Sequence, residues 1–167
     1  IQFEKVPYFK GSNLIGRLLS FIKDKECIDL RYQKFDSEET KTHKIHPYLL
    51  KEYRNRWYLI GMNAKNGYIN TFGLDRIAGM NKNSLPFKYH ENFTSRTYFK
   101  HAFGITTFEG KPEEIMLAFN KVQKAYVLTQ PLHETQEIAS ETEEELVVKM
   151  KVGITIELTM TILSFSD

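Results

Sequence analysis

HPYLLKEYRNRWYLIGMNAKNGYINTFGLDRI, residues 46–77, sets two turn signals between runs of alternating apolar residues. Arg54-Asn55 stands where a two-residue hairpin turn belongs, because Asn tolerates positive φ better than most residues. Ala64-Lys65-Asn66-Gly67 is a second turn, and Asn-Gly is the strongest short-range hairpin signal. The runs between them predict strands over 44–53, 56–63, 68–73 and 75–80. A turn at Arg54-Asn55 makes Tyr53 and Arg56 cross-strand neighbours, with Tyr58 on the same face. Trp57 and Leu59 then point to the opposite face, the expected core.

The same stretch sets Arg54, Arg56 and Arg76 among Tyr48, Tyr53, Trp57, Tyr58, Tyr68 and Phe72. Guanidinium forks beside flat rings can hold phosphates and stack bases. A small β-sheet core edged by solvated arginines has the same residue types, so composition leaves both readings open.

Working outward, residues 1–11 read as a linker punctuated by Pro7 and Gly11. Ser12 is placed to cap a helix with Leu14, Ile15, Leu18, Leu19 and Ile22 on one face. Residues 26–35 alternate as a strand, 36–42 read as a charged turn, and Pro47 belongs at a strand start or on an edge. Five short strands after one helix predict a small antiparallel β-barrel rather than a parallel α/β sheet. Residues 83–107 form a connector, with a helix capped by Thr94 or Ser95, carrying Tyr98, Phe99, Ala102 and Phe103 and closed by Gly104. Residues 108–167 then read as strand 113–120, helix 121–129, strands 133–140 and 145–152, and helix 154–165 capped by Thr155. This βαββα order predicts a small α+β domain with helices on one face of a sheet.

Composition is that of a soluble globular chain: 167 residues, 41% hydrophobic and 26% charged. Residues 1–107 carry 18 Lys+Arg against 10 Asp+Glu, a net +8, while residues 108–167 carry 5 against 11, a net −6. The basic part is the one suited to a polyanion, although two solvated surfaces of opposite sign account for the charges equally well. The single Cys27 excludes an internal disulfide and fits a reducing compartment. No signal-peptide pattern or apolar run of membrane length occurs, so a cytoplasmic location without membrane contact is expected. Glycine-rich phosphate loops, nucleophile elbows and paired cysteines are absent. No enzymatic activity, cofactor or metal is therefore expected. A metal-dependent hydrolase built on His43 and His46 would lack a third ligand at useful spacing. The first residue, Ile1, is not methionine, and the chain is expected to be part of a longer protein.

Three segments, His46-Pro47-Tyr48-Leu49-Leu50, Arg56-Trp57-Tyr58-Leu59-Ile60-Gly61 and Leu74-Asp75-Arg76-Ile77, together resemble a WYL domain, named for the triplet that is here Trp57-Tyr58-Leu59. The preceding helix and Ile28-Asp29-Leu30-Arg31-Tyr32 resemble its leading segment, so the likeness covers residues 12–82. It implies an Sm-like, SH3-type barrel from a bacterial transcriptional regulator, sensing single-stranded nucleic acid or a nucleotide. Duplex DNA would be bound only by an N-terminal winged helix-turn-helix that these residues lack. The resemblance places Arg56, Arg76, His46 and Tyr48 on the ligand face, with Arg31 and Tyr32 as weaker additions. The hairpin adds Tyr53, Arg54 and Tyr58, while Asp75 reads as an ion-pair or turn residue. Residues 108–167, with His133 and Gln136, resemble the C-terminal extension of such regulators, the WCX domain. That implies a ferredoxin-like α+β fold whose last strand is missing here. A homodimer is expected, and a dimerisation scaffold without a small ligand is the alternative.

Overall fold

The computed structural model describes residues 10–108 and 110–165. Most of the predicted linker, residues 1–9, lies outside the described residues. The chain divides into two units, residues 1–95 and 96–167.

Alternation builds the first sheet. β1 (Ile28–Gln33) buries Ile28, Leu30 and Tyr32 and exposes Arg31 and Gln33. It is joined by β2 (Thr40–Tyr53), β3 (Arg56–Asn63), β4 (Ile69–Gly73) and β5 (Ile77–Lys82). All pairs are antiparallel, in the order β4-β3-β2-β1-β5. α1 (Ile15–Lys23) lays Leu18 and Phe21 on the sheet face formed by Ile28, Leu30, Ile45, Leu59 and Phe72. Trp57 packs half-buried against the same core, on the face expected for it and for Leu59.

The hairpin at residues 54–55 forms as predicted. Arg54 and Asn55 both take left-handed φ, 48° and 63°, the signature of a two-residue turn that matches strand twist. Register then sets Tyr53 opposite Arg56. At the second turn Gly67 sits at φ 75°, and the Asn63 and Asn66 carboxamides accept the Lys65 and Tyr68 N–H groups.

Four details differ from the sequence expectation. Ser12 does not cap α1. A 3-10 turn (Ser12–Leu14) precedes the helix, and Gly11 enters it at φ 92° without a side-chain cap bond. β2 begins at Thr40, because the polar residues 40–42 complete the ladder to Gln33, Tyr32 and Arg31. Backbone pairing there outweighs polarity. Pro47 lies inside β2, beyond the last β1 partner at Ile45, and a register shift between Pro47 and Leu49 accommodates it. Finally, the sheet is open: β4 and β5 are its two edges, and no ladder joins them. Only the 3-10 turn Leu74–Arg76 connects those edges. A link that short spans roughly 3.5 Å per residue, so the sheet is rolled without being closed by hydrogen bonds.

In the second unit β6 (Glu113–Asn120), α2 (Lys121–Thr129), β7 (Glu137–Glu141), β8 (Glu145–Val152) and α3 (Ile156–Leu163) follow in the predicted order. The antiparallel sheet runs β6-β8-β7. β8 buries Leu146, Val148, Met150 and Val152 against Val127 of α2 and Leu158 of α3, so both helices cover one face. Asn120 and Gln123 form a reciprocal capping box on α2. Thr155 caps α3 by accepting the Leu158 N–H. No helix forms over residues 94–104. Turn bonds from the Lys100 and Ala102 N–H groups to the Thr97 and Phe99 carbonyls replace it, and burial of Ala102 and Phe103 holds the segment. Residues 133–136 are likewise a turn rather than strand: the His133 ring takes the Thr135 N–H and the Gln136 side chain takes the Leu132 N–H. Among the described residues no helix is long and apolar enough to cross a membrane.

Candidate ligand-binding site

The turn between β4 and β5 brings Arg56, Asp75 and Arg76 together. Asp75 Oδ1 lies 3.5 Å from Arg76 Nε, and Asp75 Oδ2 lies 3.8 Å from Arg56 Nη1. Arg56 reaches Asp75 because Tyr58 pairs with Gly73, which carries the β3 register on toward the turn. Gly73 makes the arrangement fit: a Cβ there would stand 2.5 Å from both Arg76 Nη2 and Asp75 Oδ1. The Arg76 guanidinium carbon sits 4.4 Å from the Phe35 ring centroid and 5.4 Å from that of Tyr32. Its Nε is buried and has no hydrogen-bond acceptor among the described residues. At 3.5 Å the Asp75 carboxylate supplies charge rather than a well-formed hydrogen bond.

This cluster opens on a cleft of about 650 Å³ bordered by Lys10, Lys34, Phe35, Asp75 and Arg76. Across the β1–β2 loop lies a second cavity of about 340 Å³, bordered by Tyr32, Lys41 and His43, and Lys34, Asp36 and Ser37 line both. Burial raises the Tyr32 phenol pKa, opposed by the Arg76 charge and the Gly73 backbone. Burial lowers His43, and Lys34 and Lys41 add to the effect. Both rings are thus held neutral beside a set of cations. Chemically, the place offers an oriented guanidinium, ammonium groups and aromatic surface, which suit an anion carrying a flat group. Among the described residues no group of three or more His, Cys, Asp or Glu side chains could hold a metal ion.

The WYL domain family model matches residues 13–81. These residues are a WYL domain. Among solved structures, the chain is similar to proteasome accessory factor B/C (PafBC) of Arthrobacter aurescens, at 15% identity and a TM-score of 0.45. The likeness covers 99% of this chain and 24% of that one, so this chain spans about a quarter of that protein's length. No curated protein matches in sequence.

Within the WYL domain the candidate residues fall into separate groups. Arg56, Arg76 and Tyr32 meet around Asp75, which acts as the ion-pair partner expected of it. Tyr58 lies in β3 between Lys51 and Gly73. Tyr53 and Arg54 stay at the hairpin tip, with the Arg54 guanidinium 5.4 Å from the Tyr53 ring. Arg31 is exposed in β1 between Thr42 and Gly79. His46 and Tyr48 lie elsewhere, buried among Phe87, Tyr89 and Phe93. Tyr48 donates to the Lys88 carbonyl at 2.7 Å, and His46 Nδ1 accepts the Lys88 N–H at 3.4 Å. Sequence reasoning passed over Lys34, Phe35 and Lys10, which sit just past a strand end, in a turn and in a linker. No periodicity marks them; only the fold of the loop brings them to Arg76.

Proposed function

We propose that this chain is the ligand-sensing part of a bacterial transcriptional regulator. Its WYL domain binds single-stranded nucleic acid or a nucleotide in the Arg76 cleft, and it acts without catalysing a reaction. Duplex DNA is read by a domain outside residues 1–167, and the protein works in the cytoplasm. The observation that carries the reading is Arg76 itself. A guanidinium held by Asp75, flanked by two rings and retaining a buried N–H without an acceptor is suited to a phosphate. Arg56 is the exposed second cation of the same cluster.

Fluorescence anisotropy with a labelled oligothymidylate at low salt tests this. Binding weakens as salt rises, each phosphate contact adding about 0.7 to the log–log slope for a single strand. Arg76→Ala lowers affinity by about tenfold or more, the value of a lost charge-assisted hydrogen bond, and Arg76→Lys does not restore it because the planar fork is gone. Failure of single-stranded DNA, RNA and common nucleotides to bind at low salt would overturn the reading.

A second reading, homodimerisation, has its own support. Ile156, Met160 and Leu163 of α3 recur at helical spacing and are all exposed. Sedimentation of the chain with and without Met160→Asp decides it: a monomer at all concentrations removes the self-association reading.

A further inference from the structure

An exposed apolar side chain is ordinary when it stands alone. Phe35 does not stand alone. It is 73% exposed and borders the cleft of about 650 Å³. The Arg76 guanidinium lies over its ring at 4.4 Å. The loop that presents it is folded: the Gln33 side chain donates to the Ser37 and Glu38 carbonyls, the Ser37 N–H donates to the Lys34 carbonyl, and the Ser37 hydroxyl accepts the Glu39 N–H. A ring fixed by a guanidinium on one side and otherwise open to solvent is a ready surface for a second flat group.

The same contacts divide the work of the site. Arg76 already lies over the rings of Phe35 and Tyr32, so two aromatic neighbours crowd its guanidinium. What it offers a ligand is the N–H edge, which pairs with phosphate oxygens rather than stacking on a base. Tyr32 is buried and packs edge-on against Phe72, so it has no open face to give. Among the described residues that border the cleft, Phe35 is the ring that remains free to take a base.

We infer that Phe35 is the base-stacking residue of this site and that Arg76 beside it holds the adjoining phosphate. The ligand class is therefore one that carries a nucleobase next to its phosphate, not a phosphorylated metabolite in general. This inference rests on the reading of the Arg76 cleft as the binding site. It assigns a role to a residue outside the Trp-Tyr-Leu and Leu-Asp-Arg-Ile segments.

Two fluorescein-labelled single strands of equal length and charge test it, one of thymidylate and one of abasic tetrahydrofuran spacers. The wild-type chain prefers the thymidylate strand by roughly 5- to 150-fold, the range for stacking one base on an aromatic side chain. Phe35→Ala and Phe35→Leu lose that preference, so that the two strands bind with equal affinity, and any change in phosphate contact through Arg76 is shared by both strands. Phe35→Trp keeps the preference. Equal affinity of the wild type for both strands, or a preference that survives Phe35→Ala, overturns the inference and leaves the Arg76 phosphate site standing. Absence of binding by either strand removes the site itself, and this inference with it. Matching thermal melts of the variants ensure that any loss is local, since Phe35 is too exposed to support the core.

Discussion

Tyr48 and Tyr32 are both buried tyrosines of one sheet, each beside basic and aromatic residues, and each has its phenol pKa raised by burial. They belong to opposite kinds of place. Around Tyr48 the polar groups close on each other: its hydroxyl is spent on the Lys88 carbonyl, and His46 accepts the N–H of the same residue. Rings of Phe87, Tyr89 and Phe93 cover what is left, with centroids 4.9 to 5.9 Å away. That cluster is a fastener, tying residues 87–93 to β2. Around Tyr32 the phenol meets the Gly73 backbone, but the Arg76 guanidinium beside it keeps a buried Nε with no acceptor among the described residues, and its cluster opens on a cleft. The difference lies in whether hydrogen-bonding capacity is used up within the fold. A buried group that the fold leaves incomplete calls for an explanation, and a ligand is one.

The comparison breaks most readily at Tyr48. Tyr48→Ala should destabilise the first unit by about 3–5 kcal/mol, as removal of a buried aromatic does, and Tyr48→Phe by about 1 kcal/mol for the hydrogen bond alone. Urea denaturation measures both. Oligonucleotide affinity of the folded fraction should not change in either variant. A Tyr48→Phe protein of full stability but weakened binding would put Tyr48 in the site and erase the distinction.

Gly73→Ala sharpens the other side. Its φ of −64° and ψ of 130° suit alanine, so the backbone is not strained. The new methyl would meet the ends of Arg76 and Asp75, side chains that can swing away. Stability should therefore fall by no more than about 1 kcal/mol, the typical size for a single substitution, although Gly73 is buried. Ligand affinity should fall several-fold, because a displaced guanidinium loses its aim without losing its charge. Unchanged affinity would mean that the position of Arg76 does not matter to binding.

Much of this was legible because the signals were local. Arg54-Asn55 and Asn66-Gly67 fix their turns through backbone preference, and β3, β6, α2 and β8 run over the residues that alternation or helical spacing assigns them. Register then follows, which is why the placement of Trp57 and Leu59 could be read before any coordinates. What was not legible depends on residues far apart in sequence. Residues 87–93 look like a connector until Phe87 and Phe93 pack on Tyr48, so His46 and Tyr48 read like neighbours of Arg56 in chemistry as well as in sequence. The helix expected over residues 94–104 gave way to turns because burial of Ala102 and Phe103 outweighs local propensity. Closure of the sheet could not be read either, since strand count says nothing of whether β4 and β5 share a ladder. Of the site, Arg56, Asp75 and Arg76 lie in recognisable segments, whereas Phe35 reaches Arg76 only through the fold of a charged loop.

The smallest effect concerns protons. Burial lowers the pKa of His46, with the Lys88 charge as a lesser cause, and its Nδ1 must be unprotonated to accept the Lys88 N–H. The folded chain therefore binds fewer protons than the unfolded chain at pH values below the ordinary histidine pKa of about 6.5. Stability is then complete above that value and is lost as pH falls through the lower folded pKa, with a slope of at most about 1.4 kcal/mol per pH unit for one histidine. His43 and His133 are shifted in the same direction and act with the same sign. Urea midpoints at neutral pH and near pH 5 measure the fall. In His46→Asn the carboxamide oxygen can take the place of Nδ1 toward Lys88 but does not titrate, so the fall should shrink without vanishing. If it stays at full size, the acid sensitivity resides in His43 and His133. The His46 end of the comparison would then be held by ring packing, with its hydrogen bond contributing little.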